Sequence, residues 1–245
     1  MKIESTQNQS YKTVMKLKQR KYRMKTKQFI VEGYHLVEEA MKSGVIVQLI
    51  IREDANLTHE YEQYPSLLLA DDLFNSLATT PSPQPVMAVC TMSEKSITKQ
   101  TRLLLCDAVQ DPGNMGTLIR SAVAFGFDGV ILGEGCCDVY NEKVLRSTQG
   151  AIFKLPIVQS NLEHEVEKLQ ISGVSVYGTS VTRALALADV VACEQMAFIL
   201  GNEGSGVQQA LLEATNQNIY IEMNENVESL NVSIAGSIIM HQFRQ

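Results

Sequence analysis

LLLCDAVQDPGNMGTLIR, residues 103–120, decides the fold. Its first four residues form an apolar run short enough for a buried strand. Asp111, Pro112, Gly113 and Asn114 follow, each a residue type suited to a tight reversal. Beyond them Leu118, Ile119, Ala122 and Val123 recur at helical spacing, Gly126 stands where a helix should stop, and 129–133 reads as the next strand. Strand, helix and strand in that order make a βαβ unit. In such units ligands bind in the crevice between the carboxyl end of the first strand and the start of the helix. Asn114 and Arg120 are the polar residues the sequence places there.

Downstream the alternation continues. The pattern predicts a helix over 141–147, a strand over 155–158, a helix over 162–170, strands over 174–179 and 196–200, a helix over 208–214, a strand over 219–223 and a closing helix over 230–243. Regular alternation of this kind means a mainly parallel sheet covered by helices on both faces. Upstream, strands are expected near 29–31, 45–51, 66–70 and 86–91, with helices over 34–42 and 73–77. Two stretches compete as the boundary: TPSPQP at 80–85 and the polar segment 93–101. The second is preferred, because 86–90 is too apolar to lie outside the smaller domain. The expected division is a basic extension with an α/β domain over 1–92, a linker over 93–101, and the larger domain over 102–245.

The chain has 245 residues, 45% hydrophobic and 20% charged, enough for a sizeable core in one large domain or two modest ones. No apolar run approaches the roughly 18 residues of a membrane helix, and the first residues are basic and polar, so a cytoplasmic address without membrane contact is expected. Cysteines at 90, 106, 136, 137 and 193 show neither a disulfide framework nor paired C-x-x-C zinc spacing. They read as mostly buried free thiols, and no metal site is expected.

The net charge of −6 conceals an asymmetry. Residues 1–27 hold nine Lys or Arg against Glu4 alone, +8; residues 28–245 hold twelve against twenty-six acids, −14. A basic end on an acidic body is the pattern of a nucleic-acid contact. With 1–10 read as unstructured, residues 12–27 are expected to form one basic helix with Val14, Leu17 and the stem of Lys21 inward. Lys16, Lys18, Arg20, Lys21 and Arg23 are the candidate RNA-binding residues, with Tyr11 and Tyr22 as aromatic surfaces for bases. From the charge run alone, a solvated helix is the competing reading.

Three loops that follow strands have unusual compositions: 107–116, GNEGSG at 201–206, and NENVESLNVS at 224–233. Loops after parallel strands converge on one sheet edge, and glycines let backbone approach a ligand. Singly, each has a plainer explanation. GNEGSG fits a turn; Asn114, Asn231 and Ser233 fit helix caps; Arg120 fits a surface ion pair. Gly236 in the last helix is harder to explain, since it costs about 1 kcal/mol relative to Ala. With Ser233 and Ser237 it forms a small-residue face that suggests close approach of another backbone.

Taken in order, NMGTLIR at 114–120, GNEGSG at 201–206 and SLNVSIA at 229–235 resemble the three motifs of the SpoU/TrmH family of RNA 2′-O-ribose methyltransferases, over a likeness running from about residue 103 to the C-terminus. LKQRKYRMKTKQFIVEGYHLVEEAMKSG at 17–44 resembles the small ribosomal-protein-like RNA-binding domain that many members carry. The resemblance implies a parallel-sheet α/β SPOUT domain with a deep trefoil knot, preceded by an α/β RNA-binding domain. It also implies a homodimer that binds S-adenosylmethionine and methylates RNA, ribosomal RNA by analogy with the N-terminal domain and transfer RNA as the alternative. Carried residue by residue, it assigns cofactor binding to Gly201, Ile221 and Leu230, with Glu203, Asn231 and Ser233 as further polar members. Arg120 and Asn114 become the catalytic pair, Arg120 gripping the target phosphate and hydroxyl and Asn114 orienting the sugar. HQFRQ at 241–245 departs from the tyrosine and glutamate with which members often end this helix. A nicotinamide-dependent oxidoreductase is disfavoured, because no glycine fingerprint follows a first strand. A non-catalytic RNA-binding relative is disfavoured by the full set of polar motif residues.

Overall fold

A computed structural model describes residues 2–92 and 95–245. They fall into two compact units, Met1–Ser93 with Tyr140–Phe153, and Glu94–Val139 with Lys154–Gln245. Of the expected linker 93–101, Ser93 and Glu94 lie outside the described residues, and 95–100 carry no helix or strand.

The first unit is built on a mixed sheet of β1 (Lys2–Ile3), β2 (Gln28–Glu32), β3 (Ile46–Arg52), β4 (Ser66–Leu69) and β5 (Val86–Thr91), in the order β1-β4-β3-β5-β2. β5 is antiparallel to both neighbours; β1, β4 and β3 are parallel. Helices α1 (Gln9–Lys16), α2 (Arg20–Thr26), α3 (Tyr34–Lys42) and α4 (Asp71–Leu77) accompany it. Tyr11, Val14 and Leu17 bury against Leu73, Phe74, Leu77 and Met87.

Four expectations change here. Residues 2–3 form a strand and α1 begins at Gln9, so the described part of 1–10 is not unstructured. The basic segment is two helices, broken at 17–19. A break leaves carbonyls at a helix end without partners. Arg23 supplies them: it is 6% exposed, and its Nη1 donates to Leu17 O at 2.9 Å and Lys18 O at 2.8 Å. Lys21 is exposed rather than stem-inward, and Tyr11 is buried with its hydroxyl on Ser76 Oγ, so Tyr11 offers no ring to a base.

The segment 140–153, expected in the larger domain, packs with the first unit. The reason is apolar packing. Within this segment, helix Glu142–Thr148 (α6) buries Val144 and Leu145, and the rings of Tyr140 and Phe153 lie 4.7 and 6.3 Å from that of Phe29 on β2.

The second unit is a seven-stranded sheet of β6 (Arg102–Cys106), β7 (Gly129–Leu132), β8 (Ile157–Gln159), β9 (Ser175–Thr179), β10 (Leu185–Ala186), β11 (Met196–Leu200) and β12 (Gln217–Tyr220). The order is β10-β12-β9-β11-β6-β7-β8, with every neighbouring pair parallel. Leu103 to Cys106 and all of β11 are buried, as expected of strands covered on both faces. On one face Leu103, Leu105, Ala197 and Ile199 pack with α7 (Leu162–Ile171) and α8 (Gln209–Ala214). On the other, Phe198 stacks on Phe243 at 5.0 Å, just after α9 (Val232–Gln242), and α9 runs beside α5 (Pro112–Ala124).

The chain runs β6 to β7 to β8 in one direction, then returns to build β9, β11 and β12 on the other side of β6. The switch therefore falls between β6 and β11, the place where open α/β sheets bind ligands. Strand β12 ends at Tyr220, so 221–223 are loop rather than strand, and the two-residue β10 was not anticipated.

Candidate active site

Two strands deliver the first two loops side by side. Leu200 and Cys106 are the last paired residues of β11 and β6, and Asp107 N then donates to Leu200 O at 2.8 Å. From there β6 leads into α5, whose cap is Asp111, not Asn114. Asp111 Oδ1 accepts from Asn114 N at 2.8 Å, and Pro112 occupies the first helical position, where its missing N–H has no consequence. Asn114 is thus inside the first turn, with its side chain released for other work.

The GNEGSG loop folds into a closed turn, with Asn202 and Gly206 exchanging backbone hydrogen bonds at 3.0 and 2.9 Å. Gly201 makes the closure possible: a Cβ there would lie 2.1 Å from Gly206 C and Val207 N, a distance no side chain can occupy. The turn aims Asn202 and Glu203 at the first loop. Asn202 Nδ2 donates to Ala108 O at 2.8 Å while its Oδ1 accepts from Gly204 N at 2.9 Å. Glu203 accepts from Gln110 N at 3.2 Å, Asp111 N at 3.0 Å and Asn114 Nδ2 at 3.0 Å.

The third loop closes the circle. Asn231 caps α9, its Oδ1 accepting from Ser233 N at 2.9 Å, Ile234 N at 3.3 Å and Ser233 Oγ at 2.6 Å. Its Nδ2 donates to Asn114 Oδ1 at 2.9 Å. Gly236 lets α9 settle: a Cβ would meet Leu118 Cδ2 and Leu200 Cδ1 at 2.5 Å. The expected close approach at the small-residue face is therefore by side chains, with Ser237 Oγ also 2.8 Å from Ser121 Oγ of α5. Glu203, Asn114, Asn231 and Ser233 are joined by hydrogen bonds across three segments of chain.

The electrostatics follow from these contacts. Burial opposes the charge on Glu203, but the hydrogen bonds from Asn114, Asp111 and Gln110 outweigh it, and the carboxyl is held below its ordinary range. Burial pushes the neighbouring thiols the other way, Cys137 up to about 12, with Glu203 and Asp111 adding to it. A shift in this direction disfavours the thiolate, the reactive form of a cysteine. Of the five, Cys90 and Cys106 are buried; the other three are half-buried rather than buried. No cluster able to hold a metal occurs among the described residues.

Arg120 does not join the network. It is exposed on α5, one turn beyond Thr117, and makes no hydrogen bond among the described residues. Thr117 lines a shallow groove with Ser233, Ile234, Ser237, Ile238 and His241 of α9, where Ile234 is 53% exposed. Lys16, Lys18, Arg20 and Lys21 are exposed on the first unit, but Arg23 is buried and serves the α1–α2 break.

Two residues not expected from the sequence belong to this site. Asn202 ties the second loop to the first. Asp107, 1% exposed, accepts from Gln208 N at 2.8 Å and Gln208 Nε2 at 2.6 Å, fixing the exit of β6 to the start of α8. An acid directly after a buried apolar run is the signal that could have found Asp107, because such a position is covered and needs partners.

A parallel α/β sheet with three polar loops locked together at its switch point is a ligand-binding enzyme domain. Residues 101–241 match the SpoU rRNA Methylase family, and residues 8–88 match the MRM3-like substrate binding domain. The chain belongs to the SpoU rRNA Methylase family, and its larger unit has the SPOUT α/β fold. It is 42% identical over 244 residues to the 23S rRNA (guanosine(2553)-2'-O)-methyltransferase RlmP of Bacillus subtilis, across 99% of this chain and 98% of that protein. It is similar to the solved structure of the AdoMet-bound rRNA methyltransferase from Sinorhizobium meliloti, with TM-score 0.88 and 25% identity over 99% of this chain and 96% of that one. The SpoU methyltransferase AviRb from Streptomyces viridochromogenes in complex with AdoMet aligns with TM-score 0.86 and 25% identity, over 96% and 97%.

The residues present fit S-adenosylmethionine. Ile221 and Leu230 are half-buried apolar residues bracketing the third loop, and Leu230 and Met223 make no backbone hydrogen bond among the described residues. Apolar walls with open backbone donors and acceptors suit an adenine ring. Gly201, buried at the end of β11, forms the base of the second loop.

Proposed function

We propose that this protein transfers a methyl group from S-adenosylmethionine to a ribose 2′-hydroxyl of ribosomal RNA, as the name of its Bacillus subtilis relative suggests. The observation that carries this reading is the Glu203–Asn114–Asn231 chain, which fixes an amide of α5 between the two loops assigned to the cofactor. When bound, the cofactor supplies a methyl carbon on a positively charged sulfur. Ile221, Leu230 and the Gly201 turn hold it, and Glu203, Asn231 and Ser233 keep their loops in register. Transfer would require these residues to hold the ribose oxygen in line with that carbon while its hydroxyl proton passes to solvent water. Positioning alone contributes several kcal/mol to such a step.

Asn114 orients the sugar. Arg120 cannot act as a base, since its guanidinium stays protonated. It grips the target phosphate, and its charge favours loss of the hydroxyl proton. Its exposure beside the Thr117 groove fits a second reading of that surface: another copy of the chain covers Ile234 and Ile238 and encloses Arg120 in a homodimer. The deep trefoil knot belongs to the same proposal, formed in the segment carrying 201–206 and 221–233. Lys16, Lys18, Arg20 and Lys21 draw RNA to the first unit, in the cytoplasm where ribosomes assemble. Among the described residues no helix is long and apolar enough to cross a membrane.

The test is a map of ribose methylation in ribosomal RNA from cells with and without the gene. One 23S rRNA position should lose its methyl group in the deletion and regain it with the wild-type gene but not with Arg120→Ala. An unchanged map would overturn the proposal.

A further inference from the structure

We propose that the cavity beneath the α1–α2 junction of the first unit receives an unstacked nucleobase of the substrate RNA, an inference that rests on the RNA reading above. The cavity has a volume of about 110 Å³. A single water needs roughly 10–15 Å³ of such space, so this one has room on the scale of a base. Leu17, Leu36, Leu77, Met87 and Leu145 give it apolar walls, and Tyr140 adds an aromatic ring. Flat aromatic and apolar surfaces of this kind hold bases that have left the stack.

Its walls are already set. Glu32 accepts from Thr79 N at 2.9 Å and Thr79 Oγ1 at 2.8 Å, and Arg146 Nη1 donates to Thr79 Oγ1 at 2.6 Å. Lys18 Nζ donates to Leu77 O at 3.1 Å. A preformed pocket pays little ordering cost on binding.

Two charge features select the occupant. Lys16, Arg20, Lys21 and Lys25 are exposed on α1 and α2, whose junction lines the cavity through Leu17 and Lys18, and so draw a polyanion to this part of the unit. At the exposed rim, the Glu142 carboxylate makes no hydrogen bond or ion pair among the described residues. An open carboxylate repels a phosphate but accepts from the N–H groups of a base. The pocket therefore takes a base bearing such donors, while the backbone stays outside on the lysines.

The test is RNA binding by the full chain, read separately from methyl transfer. A 23S rRNA fragment methylated by the wild-type protein is prepared as a series in which each nucleotide in turn is abasic. One abasic position, apart from the methylated nucleotide and its neighbours, should weaken wild-type binding about tenfold. Leu36→Phe, which fills the cavity, should bind the intact fragment about tenfold more weakly and ignore that same abasic position. If Leu36→Phe does not fold, Glu142→Ala at the exposed rim should show the same loss of discrimination. No sensitive position in the wild type, or equal sensitivity in these variants, overturns the proposal. A fragment that is bound but never methylated would instead count against the catalytic reading.

Discussion

Asn114 and Asn231 stand 117 positions apart in the chain and share one hydrogen bond, Asn231 Nδ2 to Asn114 Oδ1 at 2.9 Å. With its own Nδ2 on Glu203, Asn114 spends both ends of a single amide joining the second and third loops. An amide is the side chain that can do this, because it donates and accepts at once. Asn114→Ala removes both bonds, each worth about 1 kcal/mol or more where one partner is charged. The expected result is a loss of about 100-fold in methyl transfer, measured on a 23S rRNA fragment, with a modest fall in melting temperature from the two lost bonds. Asn114→Asp should be no better near neutral pH, since it sets a second carboxylate against Glu203.

The Glu203 carboxyl is held below its ordinary range by hydrogen bonds from Asn114 and two backbone amides, which outweigh its partial burial. A depressed folded-state value means that the stabilisation is complete above the unfolded carboxylate range and is lost as pH falls through the folded value. The loop clamp should therefore hold at neutral pH and loosen under acid conditions. Melting curves of wild type and Glu203→Gln should differ at neutral pH and converge on acidification. A gap that persists unchanged to low pH would contradict this.

Gly201→Ala should be the most damaging single-methyl change at the site. The added carbon would meet backbone 2.1 Å away at Gly206 and Val207, and backbone cannot swing aside as a side chain can. Titration calorimetry should show S-adenosylmethionine binding lost, while far-ultraviolet circular dichroism keeps the sheet. Gly236→Ala is the milder companion, since its Cβ meets only the leucine ends of Leu118 and Leu200. Overpacking of about 1–3 kcal/mol against a helix-propensity gain of about 1 leaves a modest fall in melting temperature.

What the sequence showed and what it hid have physical reasons. Strands β5 and β11 fall at the predicted residues because VMAVC and MAFIL are apolar on both faces, and helix α3 does so because Leu36, Val37 and Ala40 recur at helical spacing. The convergence of three loops was legible from the alternation of strands and helices, which implies parallel strands, and from glycine content. The cap of α5 was not: Asp111 and Asn114 are both good caps, and only Pro112 at the first helical position decides between them. The break in the basic segment was hidden too, since its cause is a tertiary bond from Arg23 back to Leu17 and Lys18 rather than any helix-breaking residue. Helix α6 joined the other unit for a comparable reason: helical periodicity states which face is buried, not what buries it.

Arg23 and its basic neighbours should separate cleanly by experiment. Arg23 is buried and donates to two carbonyls, so Arg23→Ala should cost about 3 kcal/mol of stability through charge-assisted bonds left unmade. Urea unfolding of this variant should shift to a lower midpoint, and its RNA affinity should fall only where unfolded protein accumulates. Lys16→Ala, Arg20→Ala and Lys21→Ala remove exposed charges and should leave the midpoint within error. Each that contacts a phosphate should weaken RNA binding and flatten the dependence of log affinity on log salt by about 0.7–0.9. A normal midpoint for Arg23→Ala combined with a flattened salt slope would return that residue to the RNA surface and leave the α1–α2 break without its support.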